Sequence, residues 1–101
     1  MKPGIVVINT ARGPVMDEAA LVVALDEGKV RSAGMDVFEE EPKIHPGLMA
    51  NRNVILLPHV GTLTFETQKA MEVFTIANVR RAVVEGKLKG LIPEQAGQGW
   101  D

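Results

Sequence analysis

Continuous apolar runs alternate along the chain with segments of helical spacing. Ile5–Ile8 and Val54–Leu57 are apolar throughout, which is typical of strands buried on both faces of a parallel sheet. Residues 18–27 predict a helix that Asp17 caps at its N-terminus. Ser32–Val37 contains alanine and glycine, and it is interpreted as a second strand because it lies between that helix and a turn-rich segment.

The chain from Glu39 onward contains a predicted loop, the strand Val54–Leu57 and a long helix. Glu39–Asn53 carries prolines, a glycine and asparagines, which predicts a long loop. Thr64–Glu85 predicts a helix that Gly86 ends, with a stripe formed by Ala70, Val73, Phe74, Ala77 and Val84. The order of strands and helices predicts an α/β fold with a parallel sheet over residues 1–89. Residues 90–101 are expected to be a loosely ordered tail.

Polar residues follow or end each predicted strand. Arg12, Asp36 and His59 occupy these positions. Because ligands bind beyond the carboxyl ends of strands in open α/β sheets, we expect the three side chains to meet at one site. Asp17 and Glu18 are interpreted locally, as a helix cap and as a first-turn acid that the helix dipole favours.

Composition excludes several other classes of protein. The chain has 101 residues, which suffices for at most one small domain. Its net charge of −2 gives no indication of a nucleic-acid partner, and the absence of cysteine excludes a disulfide scaffold. No apolar run approaches the ~20 residues of a membrane span, so we expect a cytoplasmic protein with no membrane partner. The spacing of His45 and His59 matches no metal motif, and no metal is expected.

Three motifs in order carry a resemblance to a known family. They are Asn9-Thr10-Ala11-Arg12-Gly13, then Asp36-Val37-Phe38 with Glu41-Pro42, then Pro58-His59-Val60-Gly61. The trio resembles the C-terminal half of the NAD-binding domain of the D-isomer-specific 2-hydroxyacid dehydrogenases, in particular glyoxylate/hydroxypyruvate reductases. The resemblance extends from Met1 to about Lys89. It implies part of a Rossmann-like, doubly wound parallel sheet that ends in a long helix.

The resemblance also implies roles for individual residues. Arg12 would orient the carboxylate and carbonyl of a small 2-keto or 2-hydroxy acid, since its guanidinium matches a carboxylate bidentately. His59 would be the general acid and base, assisted by Glu41, which fixes the nitrogen that carries the proton. Glu39 and Glu40 are interpreted as exposed charge. The cofactor would be NAD or NADP, with its pocket formed by Thr10, Ala11, Arg12, Asp36, His59 and Gly61.

The sequence lacks parts of the family's pattern, namely the substrate domain, the glycine-rich turn and the residue that selects NAD or NADP. It has no GxGxxG turn for the cofactor pyrophosphate, and Met1–Gly4 is similar to an internal stretch of family members, so the resemblance implies a fragment. Such a fragment alone would be inactive, whereas the complete protein would be an oxidoreductase and is compatible with a homodimer. The alternative is a non-catalytic remnant or an NAD(H)-sensing binding module of the corepressor type. The motifs fit both.

Overall fold

A computed structural model describes residues 1–99 and shows an α/β fold built on a parallel sheet. The sheet has three strands in the order β1-β2-β3. The elements are β1 Ile5–Asn9, α1 Glu18–Asp26, β2 Val30–Met35, α2 Pro46–Ala50, β3 Val54–Leu56 and α3 Phe65–Glu85, with 3₁₀ turns at Gly13–Val15 and Pro93–Gln95. The predicted fold class, a partial Rossmann-like sheet followed by a long helix, is confirmed.

The chain divides into two compact units, Met1–Gly61 and Thr62–Asp101. We call them the sheet unit and the helix unit. The sheet unit contains all three strands with α1 and α2, and the helix unit contains α3. The predicted extent of the domain, residues 1–89, stays a prediction.

Local signals set both ends of α1. The chain then enters β2, which runs parallel to β1. Asp17 accepts a hydrogen bond from the Ala20 N–H at 2.8 Å, which is the predicted N-cap. Gly28 has a φ of 71°, a left-handed conformation that glycine adopts without steric cost just after a helix. β2 then pairs with β1 and β3, so that the carboxyl ends of the strands lie at the same edge.

The core of the sheet unit lies on one face of the sheet. Leu21 and Leu25 of α1 and Leu48 of α2 pack with inward-facing residues of β2. Leu48 is fully buried, at 0% exposure. The buried cluster consists of Leu21, Leu25, Val30, Ala33, Met35, Phe38 and Leu48.

The prediction that the outer strands are buried on both faces is wrong. Val6, Ile8 and Ile55 are 45%, 72% and 68% exposed. Within the sheet unit both helices pack on the opposite face, and Gly34, which lies in register between Ile8 and Ile55, adds no side chain to cover them. The apolar runs therefore predicted the positions of the strands, but not whether one or both faces of the sheet are covered.

Two boundaries also differ from the prediction. β2 begins at Val30 and ends at Met35, so Asp36 follows the strand directly instead of lying within it. The predicted loop Glu39–Asn53 contains the short helix α2. His45 starts that helix by accepting a hydrogen bond from the Gly47 N–H at 3.1 Å, and proline occupies the first turn, where its missing N–H costs nothing.

The helix unit confirms the predicted long helix. Thr64 accepts a hydrogen bond from the Thr67 N–H at 3.2 Å, and Gly86 ends α3 with a φ of 65°. None of the residues of α3 is buried, including the predicted apolar stripe. In the predicted tail, the structure describes residues 90–99 with their 3₁₀ turn, and residues 100 and 101 lie outside the described part.

Candidate functional site

The carboxyl ends of the three strands bring the sequence motifs to one edge of the sheet. Asn9, Met35 and Leu56 occupy matching positions on β1, β2 and β3. Arg12 follows the first of these residues and Asp36 the second, and the segment that carries His59 follows the third. The structure therefore places the predicted site residues on neighbouring loops.

The loop that carries Arg12 is held by the side chain of Asn9. Asn9 is 4% exposed, and its Oδ1 accepts a hydrogen bond from the Ala11 N–H at 3.1 Å. Its Nδ2 donates to the Arg12 carbonyl oxygen, also at 3.1 Å. Thr10, Ala11 and Arg12 are exposed. Asn9 thus fixes the backbone of a loop that presents a guanidinium to solvent, and an asparagine at a strand end was the available signal.

Asp36 binds two consecutive backbone N–H groups, those of Val60 and Gly61. It is 4% exposed, and its two carboxylate oxygens accept hydrogen bonds from the Val60 and Gly61 N–H groups, each at 2.8 Å. A Cβ on Gly61 would lie 3.0 Å from Oδ2 of Asp36, so glycine permits this close approach. His59 has a φ of 56°, a strained conformation for a residue with a side chain. Asp36 stabilises that conformation, and its role toward a cofactor stays a prediction.

Glu41 and His59 form a hydrogen-bonded pair. Nδ1 of His59 lies 2.7 Å from Oε2 of Glu41, and the side chains are 48% and 34% exposed. Oε1 of Glu41 accepts a hydrogen bond from the Phe38 N–H at 2.9 Å. The contact with His59, and after it that with Phe38, holds the pKa of the Glu41 carboxyl below its ordinary value.

The ionised Glu41 decides the tautomer of its partner. Because both carboxylate oxygens are acceptors, the proton of this contact belongs to Nδ1 of His59. Nε2 is then the nitrogen that can take up or release a proton. The two glutamates before Glu41 are exposed as predicted, and Glu40 pairs with Lys43 at 3.2 Å.

A cavity of about 150 Å³ lies beside the pair. Apolar residues supply most of its walls, and Glu41 and His59 supply its polar groups. It is lined by Phe38, Glu41, Pro42, Ile44, Pro58 and His59.

The residues of this edge fit the nicotinamide end of a dinucleotide. Thr10, Ala11 and His59 are exposed at the carboxyl-end edge, where such sheets bind their ligands. The glycine-rich turn that binds a pyrophosphate does not occur in the sequence. The cofactor contacts of individual residues stay predictions.

Two further properties bear on the type of site. Over residues 1–99, the structure contains no group of three or more side chains placed to bind a metal ion. No helix in that range has the length and apolar character needed to cross a membrane.

Comparison with known proteins assigns the family. A family model described as "D-isomer specific 2-hydroxyacid dehydrogenase, NAD binding domain" matches residues 1–61. The 4-methyl-2-oxopentanoate reductase A of Aspergillus oryzae is 59% identical over 95 residues, which cover 94% of this chain and 29% of that protein. Curated relatives at 65%, 59% and 47% identity are each matched over 29% of their length, so the chain spans less than a third of them.

Solved structures agree with the sequence comparison. A glyoxylate reductase from Paecilomyes thermophila has a TM-score of 0.90 and 54% identity, over 94% of this chain and 29% of its own. The NADPH-dependent glyoxylate/hydroxypyruvate reductase of Sinorhizobium meliloti, in complex with NADP and malonate, has a TM-score of 0.86 and 40% identity, over 92% and 29% of the two chains. The resemblance in the three motifs is thereby confirmed, and the chain belongs to the D-isomer specific 2-hydroxyacid dehydrogenases, with residues 1–61 in their NAD-binding domain.

Proposed function

We propose that the complete polypeptide carrying this chain is an oxidoreductase that interconverts a small 2-keto acid and the corresponding 2-hydroxy acid with NAD or NADP. Arg12 orients the substrate, and His59 assisted by Glu41 is the general acid and base. The observation that carries the proposal is the 2.7 Å contact between Nδ1 of His59 and Oε2 of Glu41. A cytoplasmic location and a homodimer stay predictions.

The pair supplies the proton that the reduction needs. When bound, the nicotinamide cofactor supplies a hydride to the carbonyl carbon of the keto acid. Nε2 of the imidazolium gives its proton to the carbonyl oxygen, so that an uncharged hydroxyl forms. Nδ1–H continues to donate to Glu41, which stabilises the imidazolium before transfer and keeps the ring oriented afterwards. In the oxidation, the neutral Nε2 takes the hydroxyl proton.

Arg12 provides the group that recognises an acid. Its guanidinium is always charged and can bind a carboxylate through two parallel hydrogen bonds. The side chain is exposed on a loop that Asn9 holds, and Nη1 contacts the Ala11 carbonyl oxygen at 2.6 Å. A substrate carboxylate is a stronger acceptor than that carbonyl and would replace it.

The relatives support the class of substrate. Their names specify a 4-methyl-2-oxopentanoate reductase and a glyoxylate reductase, both of which reduce small oxo acids. The Sinorhizobium meliloti enzyme is named as NADPH-dependent. These names support a nicotinamide cofactor and a small 2-oxo acid for this protein, without selecting one acid.

The test compares the two histidines of the chain in the full-length polypeptide. His59→Ala should lower kcat for reduction of glyoxylate or 4-methyl-2-oxopentanoate by about 10²–10⁴-fold, because a positioned acid–base group is lost. His45→Ala is the control, since the described contact of the His45 ring is the cap of α2. An undiminished rate in His59→Ala would remove this residue from the mechanism. NADH-dependent partner binding without turnover in the wild type would instead identify a corepressor-type sensor.

Arg12→Lys tests the substrate contact separately. An ammonium cannot form the bidentate contact, so KM for the keto acid should rise and kcat should fall. Cofactor binding, measured by fluorescence of the bound NAD(P)H, should change little, because the turn of Thr10, Ala11 and Arg12 would line the cofactor pocket with its backbone, which the substitution keeps. Kinetic constants equal to those of the wild type would mean that Arg12 only packs against its own loop.

A further inference from the structure

Two residues that follow Arg12 in the chain contact the peptide bond between Phe38 and Glu39. Gly13 lies so close that an added Cβ would overlap the Phe38 carbonyl group. Oε1 of Glu18 accepts a hydrogen bond from the Glu39 N–H at 2.7 Å. The segment after β1 is thus packed against this peptide and hydrogen-bonded to it.

Glu18 is buried more deeply than a purely local role requires. A first-turn glutamate that serves only the helix dipole can remain in solvent, whereas Glu18 is 3% exposed. Burying a carboxylate is costly unless a strong partner compensates for the lost water. The partner of Glu18 is the Glu39 N–H, which donates a hydrogen bond of 2.7 Å to Oε1. The buried carboxyl group is therefore directed at one backbone group of another segment.

The Glu39 N–H is adjacent in the chain to the Phe38 N–H, which contacts Glu41 of the proposed catalytic pair. Phe38 donates its own N–H to Oε1 of Glu41 at 2.9 Å, and the other oxygen of Glu41 contacts His59. A change in the Phe38–Glu39 peptide would therefore move the group that aims the Glu41 carboxylate. A short sequence of contacts thus connects Glu18 with His59.

We infer that Glu18 is a positioning residue, which fixes the Glu41–His59 pair relative to the Arg12 loop. The inference rests on the proposed function of that pair. Gly13, next to Arg12, packs against the peptide to which Glu18 is hydrogen-bonded, so the Arg12 loop and the Glu41–His59 pair share one support. The sequence alone gave no signal for this role, because the partner of Glu18 lies 21 residues further along the chain.

The experiment uses the full-length polypeptide with its cofactor and a small 2-oxo acid. Glu18→Leu keeps a side chain of similar size but removes the acceptor for the Glu39 N–H. We expect kcat to fall by up to about 10²-fold, which is the effect of a small misplacement of catalytic groups. The pH dependence of kcat/KM should shift, and the NMR signal of the His59 Nδ1 proton should move or broaden.

The control and the rescue variant separate positioning from stability. Asp17→Ala removes the cap of the same helix but no contact with the Phe38–Glu39 peptide, so kcat and the Nδ1 signal should be unchanged. Glu18→Gln keeps the oxygen in place and should recover most of the rate. If Glu18→Leu does not fold, Glu18→Asp replaces it, because aspartate keeps the charge but withdraws it from Glu39.

The outcomes distinguish the two proposals. A slow Glu18→Leu or Glu18→Asp enzyme with a shifted pH profile, rescued by Glu18→Gln, supports the positioning role. Wild-type rates and an unchanged Nδ1 signal in these variants overturn it, provided that His59→Ala is slow. An undiminished rate in His59→Ala overturns the proposed function itself.

Discussion

The sheet unit and helix α3 use similar local signals but differ in how far their side chains are buried. α1 and α3 both begin with a side chain that caps a backbone N–H, and both are followed by a glycine in the left-handed conformation. The sheet unit surrounds Leu48 completely, whereas no residue of α3 is buried. Similar end signals therefore define helices in two quite different packing environments.

The difference shows which forces hold each region. In the sheet unit, apolar burial stabilises the scaffold that carries the Glu41–His59 pair. In α3, the described contacts include capping and side-chain pairs along the helix, which contribute little individually. The segment that follows α3 adds a hydrogen bond of 2.6 Å from the Lys89 N–H to Oδ1 of Asn78 and places the Lys89 ammonium over the Phe74 ring. Val83 and Val84 of α3 are 80% and 68% exposed. Substitutions of equal size should therefore have unequal effects in the two regions.

The largest contrast is expected between a core leucine and a helix-surface valine. Leu48→Ala should lower the free energy of unfolding of the sheet unit by about 2–5 kcal/mol, since it leaves a cavity at a fully buried position. Val83→Ala should change stability by less than about 0.5 kcal/mol. Denaturant unfolding of the full-length polypeptide, with hydrogen exchange of amides in β2 and α3, measures both.

Comparable losses from the two substitutions would contradict this contrast. A large loss from Val83→Ala would mean that α3 contributes packing in the complete polypeptide that is absent among residues 1–99. A small loss from Leu48→Ala would mean that α2 relaxes into the space.

The elements that the sequence predicted are those with purely local signals. Asp17, Gly28, Thr64 and Gly86 mark helix ends because capping depends on the nearest residues alone. The number of covered faces of the sheet was not predictable from the run Ile5–Ile8, because that depends on other segments. Helix α2 was missed because a proline and a glycine in its first turn are also signals for a loop.

In the candidate site, too, some features could be predicted from the sequence and others depend on distant segments. The residue types at strand ends pointed to Arg12 and His59, and the resemblance selected Glu41 among three adjacent glutamates. The supporting contacts were not predictable, since Asp36 reaches Val60 across 24 residues of sequence. Asn9 and Glu18 appeared as ordinary strand-end and first-turn residues until their partners were seen.

A smaller effect is expected at the helix caps. Thr64→Ala and Asp17→Ala each remove one acceptor for a first-turn N–H and should cost about 1 kcal/mol. The Thr64 change should accelerate hydrogen exchange only in the first turn of α3, whereas the Asp17 change should also affect β2, because α1 is packed on it. If either variant accelerated hydrogen exchange equally in the sheet unit and in the helix unit, the two units would not respond separately.

Acid titration should show the next effect. The folded pKa of Glu41 is lowered, chiefly by His59, from an unfolded value near 4.5. The ionised carboxylate therefore contributes stability above that value, and the contribution is lost as pH falls through the folded pKa. The effect is modest because the side chain is 34% exposed. Carboxyl NMR of Glu41 should show its pKa rising toward the ordinary value in His59→Ala. An identical midpoint in both proteins would contradict the assigned cause.

The smallest effect is expected for the charge pair on α3. Nε of Arg81 lies 3.2 Å from Oε2 of Glu85, and these side chains are 39% and 49% exposed. Such a pair contributes about 0–0.5 kcal/mol, and its order, cation before anion, is the less favourable one for a helix. Arg81→Gln should thus leave exchange protection of α3 almost unchanged, and added salt should abolish any remaining difference. A loss above about 1 kcal/mol would show that Arg81 is shielded from solvent in the complete polypeptide, and the contrast between a packed sheet unit and a solvated α3 would then fail.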